Sequence, residues 1–312
     1  MNIIRETDSF LSADHKTRVA SYLYLPDECE VSAVLQISHG MCEYFERYRP
    51  LAEFFCAHGV AVCGHDHLGH GKRARADGSL GWFHETDGAR ILPEDVHRLT
   101  QIMKKRFPDK PYFLLGHSMG SFIARSVLAR YGNDYDGAIL MGTSGKNPLV
   151  PFGILAANVI SAFHGPKYKS NFLKNQSFSG FNKRFPDDPS ENAWISADHT
   201  LTKKYDNDPL CTFTFTVTAY RDLYRLLKSC STKAWAQSVP NNLPVLLVSG
   251  ADDPVGKYGK GVTQVYEWLK EAGLQTVSYK LYDGARHEIL NDFCRDEVLN
   301  DIYAFIGRYI PV

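Results

Sequence analysis

The string GHSMG at Gly116–Gly120 stands between an apolar run, YFLLGHS (Tyr112–Ser118), and a stretch with helical character, MGSFIARSVLARY. A serine between a buried strand and a helix sits on a tight, strained turn that exposes its hydroxyl. Small residues two positions to either side let the backbone make that turn. The first amides of the helix then point at negative charge developing on a substrate carbonyl. The chemistry this pattern offers is nucleophilic attack on an acyl carbon. A chance GxSxG in a helix cap would lack the strand before it and the helix after it.

A serine nucleophile needs a base, and the base needs an acid to orient it; on such a turn they follow in the order serine, acid, histidine. Of the twelve histidines, only His287 lies beyond the late apolar run PVLLVSG (Pro244–Gly250) and its acids. It stands in GARHE, just after TVSYKLYDG (Thr276–Gly284), where a loop at the end of a strand would present it. The acid is sought in ADDP after Gly250. Asp253 is favoured, with Asp252 the alternative and better suited to a turn or cap contact. An oxyanion site needs two backbone donors. One is the Met119 amide; the other, from the HGM turn at His39–Met41 after an early apolar run, is that of Met41. The side chains of Met41 and Met119 either line an acyl pocket or simply pack.

These residues need a scaffold that carries them to one edge. The first part reads as three strands followed by strand–helix units. Val19–Pro26 alternates loosely, and Ala33–Gly40 is a nearly continuous apolar run, as in a buried central strand. A helix with Leu51, Phe54, Phe55 and Val60 at helical spacing stops at Gly59, and a short strand follows at Ala61–Asp66. Pro93 is expected to open a helix reaching about Phe107, with Val96, Leu99, Ile102 and Met103 on one face. After the Tyr112 strand and its helix comes Gly137–Thr143. The rhythm returns with the Pro244 strand, a helix at about Lys260–Ala272, the Thr276 strand and a terminal helix at about Cys294–Tyr309. Such βαβ alternation implies an α/β fold with a mostly parallel sheet flanked by helices.

From Ser144 to about Trp235 the rhythm fails: the segment is rich in Phe, Asn, Lys and Pro, with helical patches and no buried strand. The chain therefore divides into a first core part, residues 1–143, a helical cap insertion, 144–235, and a second core part, 236–312. The insertion holds twelve Lys and Arg against seven Asp and Glu, within a chain whose 35 basic and 35 acidic residues balance. A basic lid would favour amphiphilic or anionic substrates and at most transient contact with a membrane surface. Phe152, Ile154, Leu155, Val159, Ile160 and Phe163 recur at helical spacing; Phe152, Leu155 and Val159 are the substrate-binding candidates, and packing of the lid on the core is the plainer alternative.

Neutral overall charge gives no long-range pull toward nucleic acid. The stretch MNIIRETDSFLSADHK lacks the basic start and apolar run of an export signal, and no apolar run is long enough to cross a bilayer, so a cytoplasmic protein is expected. Seven scattered cysteines without a CxxC pair fit free, mostly buried thiols. HDHLGH groups His65, Asp66, His67 and His70, yet a structural turn accounts for it better than a zinc site. GADDPVGKY has Tyr258 where a P-loop needs Ser or Thr, and no GxGxxG follows a strand, so neither a cofactor nor a metal is expected. Glu43 and Arg47, four apart, either pair at the surface or fix the turn after Met41.

Taken in order, HGMCEYFERY, DHLGHG, GHSMG, GADDPVG and GARHEIL resemble the monoacylglycerol lipase and lysophospholipase branch of the α/β-hydrolase superfamily, which includes serine aminopeptidase-type members. The similarity spans roughly Val19–Gly142 and Leu243–Ile306 and is much weaker in the cap. The resemblance implies Ser118, Asp253 and His287 as a triad, Met41 and Met119 as oxyanion amides, and acyl esters of glycerol or lysolipids as substrates. It also marks a departure: Cys42 occupies a position where glycine is usual. The expectation is a carboxylic ester hydrolase working through an acyl-enzyme. Amide or peptide hydrolysis and acyl transfer on the same fold are the alternatives, with a non-catalytic ligand-binding relative a more distant one.

Overall fold

The structure is a computed structural model that describes residues 3–27 and 29–310. Of the N-terminal stretch, Met1 and Asn2 lie outside the described residues. Eight strands form one sheet: β1 (Ile3–Leu11), β2 (Arg18–Pro26), β3 (Ala33–Ser38), β4 (Val60–His65), β5 (Tyr112–His117), β6 (Gly137–Met141), β7 (Val245–Gly250) and β8 (Val277–Tyr282). Their order across the sheet is β1-β2-β4-β3-β5-β6-β7-β8. The β1–β2 and β2–β4 pairs are antiparallel and all others are parallel. This is the α/β architecture expected from the strand–helix rhythm.

Strands β3 to β7 are buried along their whole length, which is why they read as unbroken apolar runs rather than alternating ones. Successive residues feed opposite layers. Val34, Leu114 and Leu140 pack with helices α3 (Gly88–Arg106), α4 (Met119–Tyr131) and α10 (Lys260–Glu271). Leu35, Leu115 and Ile139 pack with α1 (Arg49–Ala57) and α11 (Arg295–Gly307). From β3 the chain runs outward to β4 and then crosses back to β5. The order thus reverses between β3 and β5, and the crevice beyond the carboxyl ends of these strands is where such sheets place ligands.

Short helix α2 (Gly71–Ala76) follows β4, and between β6 and β7 the chain is helical: α5 (Val150–His164), α6 (Asn171–Phe178), α7 (His199–Asp206), α8 (Val217–Cys230) and α9 (Lys233–Gln237). Helix α8 is amphipathic and lies against α3, α4 and α5. One expectation is corrected: Pro93 does not open α3, which begins at Gly88. The added turn carries Ile91 and Leu92, both fully buried, and their burial outweighs the hydrogen bond that Pro93 cannot donate. Among the described residues no helix is long and apolar enough to cross a membrane. Six cysteines are buried, Cys29 is exposed, and all are unpaired.

Candidate active site

Ser118 occupies the turn between β5 and α4 with φ 53° and ψ −121°, a conformation that L-residues rarely adopt. Strain of this kind costs about 1–3 kcal/mol and persists where the surroundings over-determine it. Two features do so here. The Ser118 amide donates to the Met141 carbonyl at the end of β6, 2.9 Å away. At Gly120 the first turn of α4 passes so close to the end of β3 that any Cβ would overlap the Ser38 and His39 carbonyls.

His287 lies in the loop after β8, almost fully buried, with its ring facing Gly142, the residue after Met141. Its Nδ1 is 2.9 Å from Asp253 Oδ2. Asp253 is wholly buried and held from both sides: Ser249 Oγ donates to Oδ2 at 3.1 Å and the Val255 amide to Oδ1 at 2.8 Å. Asp252, one residue earlier, points to the surface and pairs with Arg184 at 3.3 Å. Of the two candidate acids, only Asp253 meets the histidine. The remaining nitrogen of His287, Nε2, is left for a proton arriving from the serine side.

The His39–Met41 turn lies against Ser118: a Cβ on Gly40 would come within 3.1 Å of Ser118 Cβ. Among the described residues neither the Met41 nor the Met119 amide is taken by a protein acceptor. Both are thus free to donate to an oxyanion. The turn is held by Glu43, which accepts from the Gly40 amide and from Tyr48 Oη at 2.9 Å and lies 2.8 Å from His117 Nδ1. Arg47 reaches Glu43 at 3.3 Å, but its main partner is Glu288, bound through both terminal nitrogens at 2.8 and 2.7 Å. The surface-pair alternative for Glu43 and Arg47 is therefore set aside, since Glu43 is buried and fixes the turn. Burial alone would raise the Glu43 pKa, but His117 and Arg47 outweigh it and hold the carboxyl well below its usual range. For His117 burial acts to lower the pKa, and the Glu43 carboxylate, with Glu288 and Asp253 further off, raises it instead. The rings of His117 and His287 are 4.9 Å apart.

Behind the turn lies a buried group of imidazoles. His39 Nε2 accepts from the His67 amide at 3.0 Å, and His70 Nε2 from the Cys42 amide at 3.3 Å. Burial lowers the pKa of all four of His39, His65, His67 and His70, to about 3 for His65 and about 4 for His70. They are neutral acceptors and packing groups at pH 7. Among the described residues no cluster of His, Cys, Asp or Glu is arranged to hold a metal ion. Cys42 has φ 54°, the left-handed region that favours glycine, with its thiol 3.2 Å from the Phe213 carbonyl.

Besides Phe213 at Cys42, residues 144–235 reach the site at Trp194 and Ile195. The His287 amide donates to the Trp194 carbonyl at 3.3 Å and the Glu288 amide to the Ile195 carbonyl at 2.7 Å. The Trp194 indole stands 5.0 Å from the His287 ring, amid Phe178, Phe181 and Val255. Phe152, Leu155 and Val159, expected to bind substrate, are instead 69%, 62% and 48% exposed on the outer side of α5, so they line no enclosed tunnel in this conformation. Helix α5 buries Val150 and Ala157 and packs Ile160 against the core, while Phe152, Leu155, Val159 and Phe163 face outward. Sequence reasoning missed His117, Glu288 and Trp194.

Residues 30–293 match the family model described as Serine aminopeptidase, S33. Human monoglyceride lipase (Homo sapiens) is 27% identical over 282 residues, covering 89% of this chain and 82% of its own. Phospholipase YtpA of Bacillus subtilis is 27% identical over 284 residues, 89% of this chain and 96% of its own. A solved thermostable carboxyl esterase from Bacillus coagulans, in complex with glycerol, superposes with a TM-score of 0.92 at 33% identity, over 98% of this chain and 99% of that one.

Proposed function

The chain belongs to the serine aminopeptidase S33 family of α/β-hydrolases, and from that membership and the geometry around Ser118 we propose a serine carboxylic ester hydrolase that acts on monoacylglycerols or lysophospholipids. The observation that carries the reading is the buried Asp253–His287 pair, 2.9 Å apart, beside the strained Ser118 turn. In this mechanism His287 Nε2 takes the Ser118 hydroxyl proton as Oγ attacks the ester carbonyl carbon, and Asp253 holds Nδ1–H and stabilises the imidazolium. The Met41 and Met119 amides donate to the oxyanion of the tetrahedral intermediate. Collapse breaks the bond to the alcohol oxygen, which leaves with the proton from His287, and an acyl-serine remains. Water, deprotonated by His287, repeats the sequence and frees the fatty acid.

In this reading residues 144–235 are a cap over a core made of 1–143 and 236–312. Trp194 and its aromatic neighbours supply the apolar wall nearest His287. The exposed apolar face of α5, flanked by Lys146, Lys167, Lys169 and Lys174, rests transiently on an aggregated or membrane-bound lipid substrate. Unpaired thiols, six of them buried, fit a reducing compartment and support the reading of a cytoplasmic protein.

The test is a serine-directed fluorophosphonate probe with wild type and Ser118→Ala, followed by turnover of 2-oleoylglycerol, lysophosphatidylcholine, p-nitrophenyl butyrate and an aminoacyl anilide. Labelling that Ser118→Ala abolishes, with esters cleaved well above the anilide, is expected. Labelling elsewhere would overturn the nucleophile, and faster anilide cleavage would move the protein to amide hydrolysis.

A further inference from the structure

Helix α4 carries a cation where a hydrophobic residue would be expected. Arg125 is fully buried, and among the described residues its side-chain hydrogen-bond partners include no carboxylate. An unpaired buried charge costs several kcal/mol unless its surroundings satisfy it. Backbone carbonyls and one hydroxyl do most of that. Nη1 donates to the Ser144 carbonyl at 2.7 Å and to Thr143 Oγ1 at 3.3 Å, and Nη2 donates to the Cys230 carbonyl. The guanidinium lies 4.3 Å from the Trp235 ring centroid, and Trp235 Nε1 donates back to the Arg125 carbonyl at 2.6 Å.

The identity of these partners matters more than their number. Ser144 is the first residue of the helical insertion, Cys230 ends its last long helix, and Trp235 is the insertion's final residue. One side chain rooted in the core therefore grips both stems of the insertion. The same group also leads back to the nucleophile turn. Thr143 Oγ1 lies 2.9 Å from Ser121 Oγ, which donates to the Ser118 carbonyl at 2.6 Å. Arg125, Ser121 and Ser118 all lie on or at the start of α4, so the path is short and runs through hydrogen bonds.

We propose that Arg125 is a positioning residue that fixes the two stems of the insertion to the Ser118 turn, so that the cap's placement and the nucleophile's geometry are set together. The inference rests on the reading of Ser118 as nucleophile and of 144–235 as a cap. A guanidinium suits the task because its planar fork satisfies acceptors on two separate segments at once while its face stacks on an indole; a single ammonium does not. A methionine would fill the space and leave both stems untied. The consequence is kinetic as well as structural: loosening the stems alters how the acyl chain is held and relaxes the support of the Ser118 carbonyl.

The experiment compares Arg125→Met, Arg125→Lys and Trp235→Phe with wild type, each titrated with a fluorophosphonate so that rates are expressed per labelled site. Three readings are taken: kcat and KM for p-nitrophenyl acetate and for a long-chain monoacylglycerol, the rate of limited proteolysis within 144–235, and Tm. For Arg125→Met we expect kcat per site to fall about tenfold, the long-chain preference to shrink, and cleavage in the insertion to speed up, with Arg125→Lys and Trp235→Phe intermediate. If Arg125→Met does not fold, the other two carry the test. Unchanged kcat per site, chain-length ratio and proteolysis, with only Tm lowered, would reduce Arg125 to a packing residue and overturn the inference. A wild type that Ser118-directed probes fail to label would instead overturn the functional reading beneath it.

Discussion

The Glu43 carboxylate and the His117 imidazole, 74 residues apart in the chain, meet at 2.8 Å in the protein interior. Glu43 belongs to the turn that offers the Met41 amide, and His117 directly precedes Ser118. One carboxylate thus ties the turn bearing the Met41 amide to the residue before Ser118, the proposed oxyanion donor and nucleophile, with the Gly40 amide and Tyr48 as its further partners.

Replacing Glu43 by Gln keeps the shape but removes the charge that raises the His117 pKa and strengthens its bond to the turn. We expect kcat to fall about tenfold, less than the hundredfold or more that follows outright loss of an oxyanion donor, with KM little changed because the donor acts on the tetrahedral stage. Steady-state kinetics on a soluble ester decides it; an unaltered kcat would leave Glu43 as packing alone.

Asp253 and Asp252 separate cleanly. Asp253→Asn should lower kcat by about four orders of magnitude through the wrong histidine tautomer. Asp252→Asn, which breaks a surface pair with Arg184, should stay within about twofold of wild type. Equal losses in the two variants would mean that His287 is not oriented by Asp253.

How far the sequence reached follows from the range of each signal. Ser118 and His287 are legible as candidates because local periodicity places them after strand ends and because chain order limits what can follow a candidate nucleophile. The ADDP string favours Asp253 over its neighbour, but it takes the folded chain to separate them, with Asp253 buried against His287 and Asp252 at the surface against Arg184. The Glu43–His117 contact and the Arg125 clamp are long-range products of packing, and no local pattern encodes them. Local rules also misled. Pro93 reads as a helix start, yet Ile91 and Leu92 bury themselves by extending α3 ahead of it. Phe152, Leu155 and Val159 keep helical spacing, but spacing cannot say whether the apolar face turns toward core or solvent.

That outward face makes its own prediction. Phe152 and Phe163, 69% and 83% exposed, should add to adsorption on lipid aggregates. Each Phe→Ser change should weaken vesicle binding by about tenfold or more, judged from the 1.5–3 kcal/mol that a buried phenyl ring contributes, while leaving hydrolysis of dissolved p-nitrophenyl acetate unaltered. Charge reversal at Lys167, Lys169 and Lys174 should matter only on anionic vesicles and fade with salt. Sedimentation with phosphatidylcholine vesicles, with and without phosphatidylserine, measures both. Equal binding by all variants would make the face inert.

Buried imidazoles make the fold sensitive to acid, and His65 isolates the effect. Among the described residues neither of its ring nitrogens has a hydrogen-bond partner, and burial lowers its pKa from 6.5 to about 3. The unfolded chain therefore takes up this proton first as pH falls. The sign follows: between about pH 6.5 and 3 the folded state loses ground, by about 1.4 kcal/mol per pH unit for this one group. His65→Leu, close in volume, removes both the orphaned nitrogens and the titration. The ring packs edge-on against Phe10 and His67, at 5.3 and 4.9 Å, so some packing is lost at every pH. That loss is constant, and the proton effect is not. Urea midpoints at pH 7.5, 6.0 and 5.0 should show the stability difference moving in favour of His65→Leu as pH falls. Asp66, Asp95 and Asp222, whose pKa values burial raises to about 6, bias each protein's own pH profile the opposite way but largely cancel between variant and wild type. A difference that stays flat across this range would mean that His65 is protonated, or solvated, in the folded protein.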